Sequence, residues 1–166
     1  MARVRLKDRR KRSKRSRQLW RHLRTAMRLL LRHPIPSVAV VPVLPDGRIV
    51  LVRRVDSDRW AIPGGMVDWG ETVEEAAGRE LEEEAGLESV RTLRLVGVYS
   101  SPERDPRSHS IAVAVAAEVR GEPRVGDPLE ISEIQTFAAE ELPFEHMAHG
   151  MEAMLRDHLA GRTALA

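Results

Sequence analysis

Residues 64–87 read GGMVDWGETVEEAAGRELEEEAGL and carry eight carboxylates and a single arginine in twenty-four positions. Thr72 followed three residues later by Glu75 is a capping-box signal for the start of a helix, and Gly86 is a natural stop. Between them Val73, Ala77, Leu81 and Ala85 recur every four residues, an apolar stripe suited to packing on a sheet. Glu80, Glu83 and Glu84 stand at i, i+3 and i+4, as neighbours on a different face. Like charges at that spacing repel by a few tenths, roughly 0.2–0.5 kcal/mol, per pair. A partner cation reverses that sign. Taken by themselves, three such glutamates also fit a solvated acidic face; Asp68, Glu74 and Glu82 are read that way.

The flanks read as strands. Residues 37–63 give SVAVVPVL, a turn at Pro45, Asp46 and Gly47, then RIVLVRR, a charged loop at 56–59, and WAIPGG. Alternation and branched residues predict a hairpin closed at Asp46 and Gly47. Beyond the helix the pattern predicts a strand at 90–99, a loop SSPERDPRS at 100–108, a strand HSIAVAVAAEV, a turn around RGEP, a short strand at 131–138 and a last helix at 145–160. Hairpins combined with single helices between strands imply an α+β fold, a mixed sheet with helices packed on it.

At 166 residues, with 42% hydrophobic and 31% charged, the chain is long enough for one domain with a real core. Cysteine is absent, which excludes disulfides and thiolate metal sites, so any metal must sit on oxygen or imidazole. The net charge of +2 hides an asymmetry. Residues 1–32 hold fourteen of the 27 Lys and Arg and only one acid, Asp8, whereas the rest of the chain is strongly acidic. A basic arm over 1–33 attached to an acidic domain over 34–166 is the expected division. Within the arm, QLWRHLRTAMRLLLR at 18–32 has an amphipathic helical period, with Trp20, Leu23, Met27, Leu30 and Leu31 on one stripe. Three roles stay open for that helix: docking on this domain or on a second subunit as a homodimer, lying on an anionic membrane surface, or meeting nucleic acid or another polyanion. Pro34 and Pro36 end it. No run approaches eighteen apolar residues and the basic start lacks the apolar segment of a secretory signal, so a cytoplasmic location is expected.

Gly65, Glu71, Arg79, Glu80, Leu81, Glu83, Glu84, Gly86 and Leu87 stand in the order and spacing of the Nudix box, and every fixed position of that box is met. WAIPGG before the box and EELP near the end also resemble Nudix surroundings, so the resemblance spans roughly 37–160. It implies an α/β/α sandwich around a mixed sheet and hydrolysis of a diphosphate linked to a nucleoside or another moiety, with Mg2+ or Mn2+. Clustered carboxylates suit that task, because hard cations take oxygen ligands and lower the pKa of bound water. By match to the box, Glu80, Glu83 and Glu84 are the implied metal ligands, with the Gly65 carbonyl as a further oxygen. Arg79 and Glu71 are read as a pair holding the loop against the helix, and Gly64 and Gly65 as allowing close backbone approach. The carboxylate that activates water is one of these glutamates or one on a later segment; LEISEIQTF offers Glu133 first and Glu130 second.

Arg104 and Arg107, in the loop after the box, are candidates to grip a phosphate, and Trp69 is expected to be exposed near the cleft. Pro102 lies fifteen residues beyond the box, resembling a proline of ADP-ribose pyrophosphatases, and ERDPR resembles that branch and the oxidised-nucleotide pyrophosphatases. ADP-ribose or a similar nucleoside diphosphate derivative is the first expectation. A triphosphate pyrophosphatase and a non-catalytic nucleotide-sensing module are the alternatives. Trp60 is read as core, and His109, His146 and His149 as surface or packing residues.

Overall fold

The computed structural model describes residues 33–106 and 108–166. The amphipathic segment at 18–32 and Arg107 lie outside the described residues.

β1 (Ile35–Val43) runs through the centre of the sheet, and its side chains are buried on both faces. Val38 and Val40 join one core cluster while Ala39 and Val41 join the other. A strand covered on both sides reads as a continuous apolar run, and SVAVV is one. The chain reverses at Leu44–Arg48, where the Gly47 N–H donates to the Leu44 carbonyl at 2.8 Å and Gly47 takes φ 84. β2 (Ile49–Arg54) then returns antiparallel, but its pairing with β1 is confined to Val43↔Ile49. Past that point the two strands part. The gap is filled by β3 (Trp60–Ala61), which pairs with β2, and by the segment after it, which pairs with β1. Val40 N–H donates to the Pro63 carbonyl at 2.8 Å and Val38 N–H to the Gly65 carbonyl at 2.9 Å. The glycine pair is thereby pinned inside the sheet.

α1 (Val73–Ala85) follows, then β4 (Glu88–Tyr99), β5 (Ser110–Arg120), β6 (Ile131–Phe137), α2 (Met151–Leu159) and β7 (Ala164–Leu165). β5 lies parallel to β1, β4 antiparallel to β5, and β7 parallel to β4, giving the order β3-β2-β1-β5-β4-β7 with β6 paired to β2. The sheet is mixed. Ala76, Ala77, Leu81 and Ala85 of α1 pack in one cluster, Met154 and Leu155 of α2 in the other, so the helices cover opposite faces. This is the expected α/β/α sandwich.

Helix boundaries follow from caps. Glu75 N–H donates to Thr72 Oγ1 at 3.2 Å and Thr72 N–H to Glu75 Oε2 at 2.8 Å, which closes the capping box. Gly86 ends the helix at φ 63. The buried face departs from the expected stripe in one respect. Val73 is only partly covered, whereas Glu80 and Glu84 are buried beside Ala76, Ala77, Leu81 and Ala85. The last helix is also shorter than 145–160. A 3-10 turn at Phe144–His146 precedes it, and His149 and Gly150 take left-handed backbone before Met151. β7, two residues long, has no counterpart in the sequence reading. No helix among the described residues is long and apolar enough to cross a membrane.

Gly78 sits in the middle of α1 with nothing within 4 Å of the position a Cβ would take. Glycine there costs backbone entropy without a packing reason. Gly78→Ala should therefore stabilise the protein by about 1 kcal/mol, a rise in Tm of about 3 °C by calorimetry, with turnover unchanged. A fall in Tm would show that the helix face at 78 does not tolerate a side chain.

Candidate active site

Both glycines are crowded, Gly64 by the backbone of β1 and Gly65 by the Glu80 carboxylate of α1. A Cβ on Gly64 would lie 2.3 Å from the Val38 carbonyl oxygen, and one on Gly65 would lie 2.2 Å from Glu80 Oε1. Both glycines therefore serve close approach. The Glu80 carboxylate rests directly on the Gly65 backbone, and Gly64 N–H donates to Glu84 Oε2 at 3.0 Å.

Arg79 organises the rest. Its guanidinium grips Glu71 with two bonds, Nε to Oε1 at 2.8 Å and Nη2 to Oε2 at 3.0 Å. Nη2 also donates to the Met66 carbonyl at 2.9 Å, which ties the loop before α1 to the helix. Nη1 reaches Glu80 Oε1 at 2.8 Å and Glu83 Oε2 at 3.2 Å. One cation thus holds three carboxylates. Glu71 additionally accepts the Asp68 N–H, and these bonds hold its carboxyl down at about 2. Hydrogen bonds to Glu71 and Glu80 raise the Arg79 guanidinium above its usual value.

Among the described residues, Glu80 and Glu84 are the buried charged ones, 8% and 5% exposed. Burial raises the Glu80 carboxyl against the pull of Arg79. Glu84 is pushed up to about 7, first by burial and then by the neighbouring Glu80 and Glu130 charges, with the Gly64 N–H and Arg54 opposing. Arg54, at the end of β2, stands 3.8 Å from Glu84 and 3.8 Å from Glu130. The Glu83 side chain is 58% exposed at the rim.

These groups line a cleft of about 430 Å³, with Arg54, Gly64, Gly65, Glu80, Glu83, Glu84 and Glu130 among its walls. Arg104, Asp105, Ser110 and His149 line it as well. Since β1 separates β2 from β5 in the sheet, the carboxylates and Arg54 stand on its β2 side, and Arg104, bonded to Ser110 of β5, stands on the other.

Two expected residues lie elsewhere. Glu133 sits opposite Arg53 in the β2–β6 ladder and accepts Arg53 Nη1 at 3.0 Å, outside the cleft, whereas Glu130, the second choice, lines it. Trp69 is fully exposed and does not line the cleft. Trp60 packs edge-on against Phe137 with ring centroids 5.2 Å apart. Three cleft residues escaped the sequence reading. Arg54 is one arginine in a strand end, and Asp105 and His149 meet only through the fold, His149 Nδ1 lying 3.6 Å from Asp105 Oδ1. The ERDPR run held the one available signal.

Among the described residues no three acidic, histidine or cysteine side chains stand in ligand geometry, because Glu80 and Glu83 are turned to Arg79. A cation has to compete with Arg79 for them. The donor set still suits a hard divalent ion: carboxylate and carbonyl oxygens only, with the buried Glu84 finding its compensating charge no nearer than Arg54 at 3.8 Å.

The Nudix domain profile matches residues 33–158. Over 129 residues the chain is 40% identical to the ADP-ribose pyrophosphatase of Methanocaldococcus jannaschii, a span of 75% of this chain and 73% of that protein. Among solved structures, a MutT Nudix hydrolase from Burkholderia pseudomallei aligns with a TM-score of 0.67 at 33% identity, covering 76% of this chain and 98% of that one. The Nudix domain of Shewanella oneidensis NrtR, solved with ADP ribose, aligns with a TM-score of 0.67 over 78% of this chain and 89% of its own, at 18% identity, which is a likeness of fold. Fold and cleft therefore define a hydrolase acting on diphosphate bonds. The chain belongs to the Nudix family, whose members act on nucleotide substrates and generally need divalent metals.

The Glu84 environment sets a pH dependence in the metal-free protein. A carboxyl raised from the usual 4.5 to about 7 favours folding when protonated. Its contribution is complete below the unfolded value and is lost as pH rises through the folded one, a change on the order of 3 kcal/mol. Urea unfolding at pH 5 and pH 8 should show wild type losing that much more stability than Glu84→Gln; equal losses would contradict the buried carboxyl.

Proposed function

We propose that the chain hydrolyses the diphosphate of ADP-ribose, or of a close nucleoside diphosphate derivative, with Mg2+ or Mn2+. The observation that carries this reading is the burial of Glu80 and Glu84 against the glycine pair, facing a cleft whose other side holds Arg104. Glu80, Glu83 and Glu84 would hold the cation, with the Gly65 carbonyl, which already accepts Val38 N–H and keeps a second lone pair. When bound, a divalent ion there supplies charge neutralisation for the diphosphate and acidifies water for attack on phosphorus.

The chain's own residues divide the remaining work. Arg79 holds the Glu71 loop and fixes α1 against it, so the three glutamates share one frame. Glu130, on the cleft wall near Arg54, replaces Glu133 as the later carboxylate suited to take a proton from water. Arg104, a half-buried planar cation, grips a phosphate oxygen away from the carboxylates. The ADP-ribose preference is supported by the 40% identity to the Methanocaldococcus jannaschii enzyme and by Pro102 and Arg104 in the loop after the box.

Glu83→Gln and Glu84→Gln should each lower kcat about a hundredfold or more, with folding intact by circular dichroism. The substrate is tested with ADP-ribose, sugar nucleotides, dinucleotides, and canonical and oxidised triphosphates, under Mg2+ and under Mn2+, by phosphate or monophosphate release. ADP-ribose should give the highest kcat/KM. A clear preference for triphosphates would overturn the substrate, and no turnover of any diphosphate would overturn the enzyme reading.

A further inference from the structure

Arg104 is held in an unusual way for a half-buried cation. Its Nη1 donates to the His149 carbonyl at 3.3 Å and its Nη2 to the Ser110 hydroxyl, both neutral acceptors. Its Nε is buried without a hydrogen-bond partner. Among the described residues no carboxylate stands within ion-pair distance of this guanidinium. Burial lowers it from its usual value, with the nearby Asp105 charge opposing. A partly desolvated cation with neutral partners gains when an anion arrives.

The seat beneath it is built from the other end of the domain. Gly150 presents bare backbone to the Arg104 stem, and a Cβ there would lie 2.8 Å from Arg104 Cγ. Gly150 also takes φ 68, and the residue before it, His149, takes φ 53. A non-glycine residue in the left-handed region is strained and persists only where its surroundings impose it. Here that conformation presents the His149 carbonyl to Arg104, while the imidazole meets Asp105 at 3.6 Å with both side chains nearly buried. The contact joins the loop at 100–109 to the segment before α2, and all of these groups but Gly150 line the cleft.

We propose that Asp105, His149 and Gly150 are positioning residues that hold Arg104 as the receptor for the second anionic group of the substrate, the phosphate or carboxylate remote from the metal-binding glutamates. The inference rests on the reading of the cleft as a diphosphate hydrolase site and adds the device that sets its affinity. Because the seat acts through Arg104 alone, its removal raises KM and leaves kcat nearly unchanged.

A double-mutant cycle in the full chain, with ADP-ribose and Mg2+, tests this. Arg104→Gln should raise KM about tenfold, the loss expected of one charge-assisted hydrogen bond, with kcat within threefold of wild type. Gly150→Ala should do the same, and the double variant should be no worse than Arg104→Gln alone. His149→Asn, which tolerates left-handed backbone but loses the imidazole contact to Asp105, should raise KM less than His149→Val does. If Gly150→Ala does not fold, Asp105→Ala takes its place in the cycle. Multiplying KM effects, or a lowered kcat at unchanged KM, would overturn the seat. Wild type inactive on ADP-ribose and every other diphosphate would instead sink the proposed function and this inference with it, whereas an active wild type with additive variants sinks the seat alone.

Discussion

Two carboxylates buried where a helix meets backbone are the constraint on which the rest depends. Glu80 and Glu84 come from the packed side of α1; the Glu80 carboxylate stands where a side chain at 65 would lie, and Glu84 accepts the Gly64 N–H. Placing bare backbone at that point requires β1 and β2 to part after Val43↔Ile49, so that the glycine segment can pair with β1 in the gap. The helix must then start at the right residue, which the Thr72–Glu75 box ensures, and the intervening loop must not swing, which the Arg79–Glu71 fork prevents. Sheet topology, cap and ion pair serve one short contact.

The charges at that contact are unevenly compensated. In the metal-free protein Arg79 and Arg54 supply what positive charge the carboxylates find, and Arg54 does so only at 3.8 Å. Glu84 remains at about 7, a carboxyl that a closer positive charge would bring down. Across β1 the situation is inverted, since Arg104 is a cation whose partners are neutral. A ligand that brings a divalent ion to one side and an oxyanion to the other satisfies both at once, and a metal-bound diphosphate is such a ligand.

Much of this was legible in the sequence where the signal is local. Thr72, Glu75, Gly86 and the spacing of Glu71, Arg79, Glu80, Glu83 and Glu84 lie within one loop and one helix, so their geometry follows from helical periodicity. What depends on pairing between distant strands was not legible. Glu133 and Glu130 are three residues apart, and the register of β6 on β2 puts the first opposite Arg53 and leaves the second at the cleft. The seat under Arg104 was hidden for a different reason. Periodicity carried a helix through 145–160, while the left-handed pair at His149 and Gly150 breaks it and turns a carbonyl toward a loop some forty residues earlier. The stripe of Val73, Ala77, Leu81 and Ala85 follows from spacing and packs on the core, Val73 only partly covered, whereas the burial of Glu80 and Glu84 depends on the glycine segment that α1 meets.

The central claim is that Glu84 and its neighbours hold a divalent ion. Titration of Mn2+ into the full chain at pH 7.5, followed by the paramagnetic resonance signal of the free ion, measures it directly. The account predicts saturable binding by wild type and by Glu133→Gln, and binding weakened at least about tenfold, roughly 1.4 kcal/mol, in Glu84→Gln. Equal affinity in wild type and Glu84→Gln would contradict it.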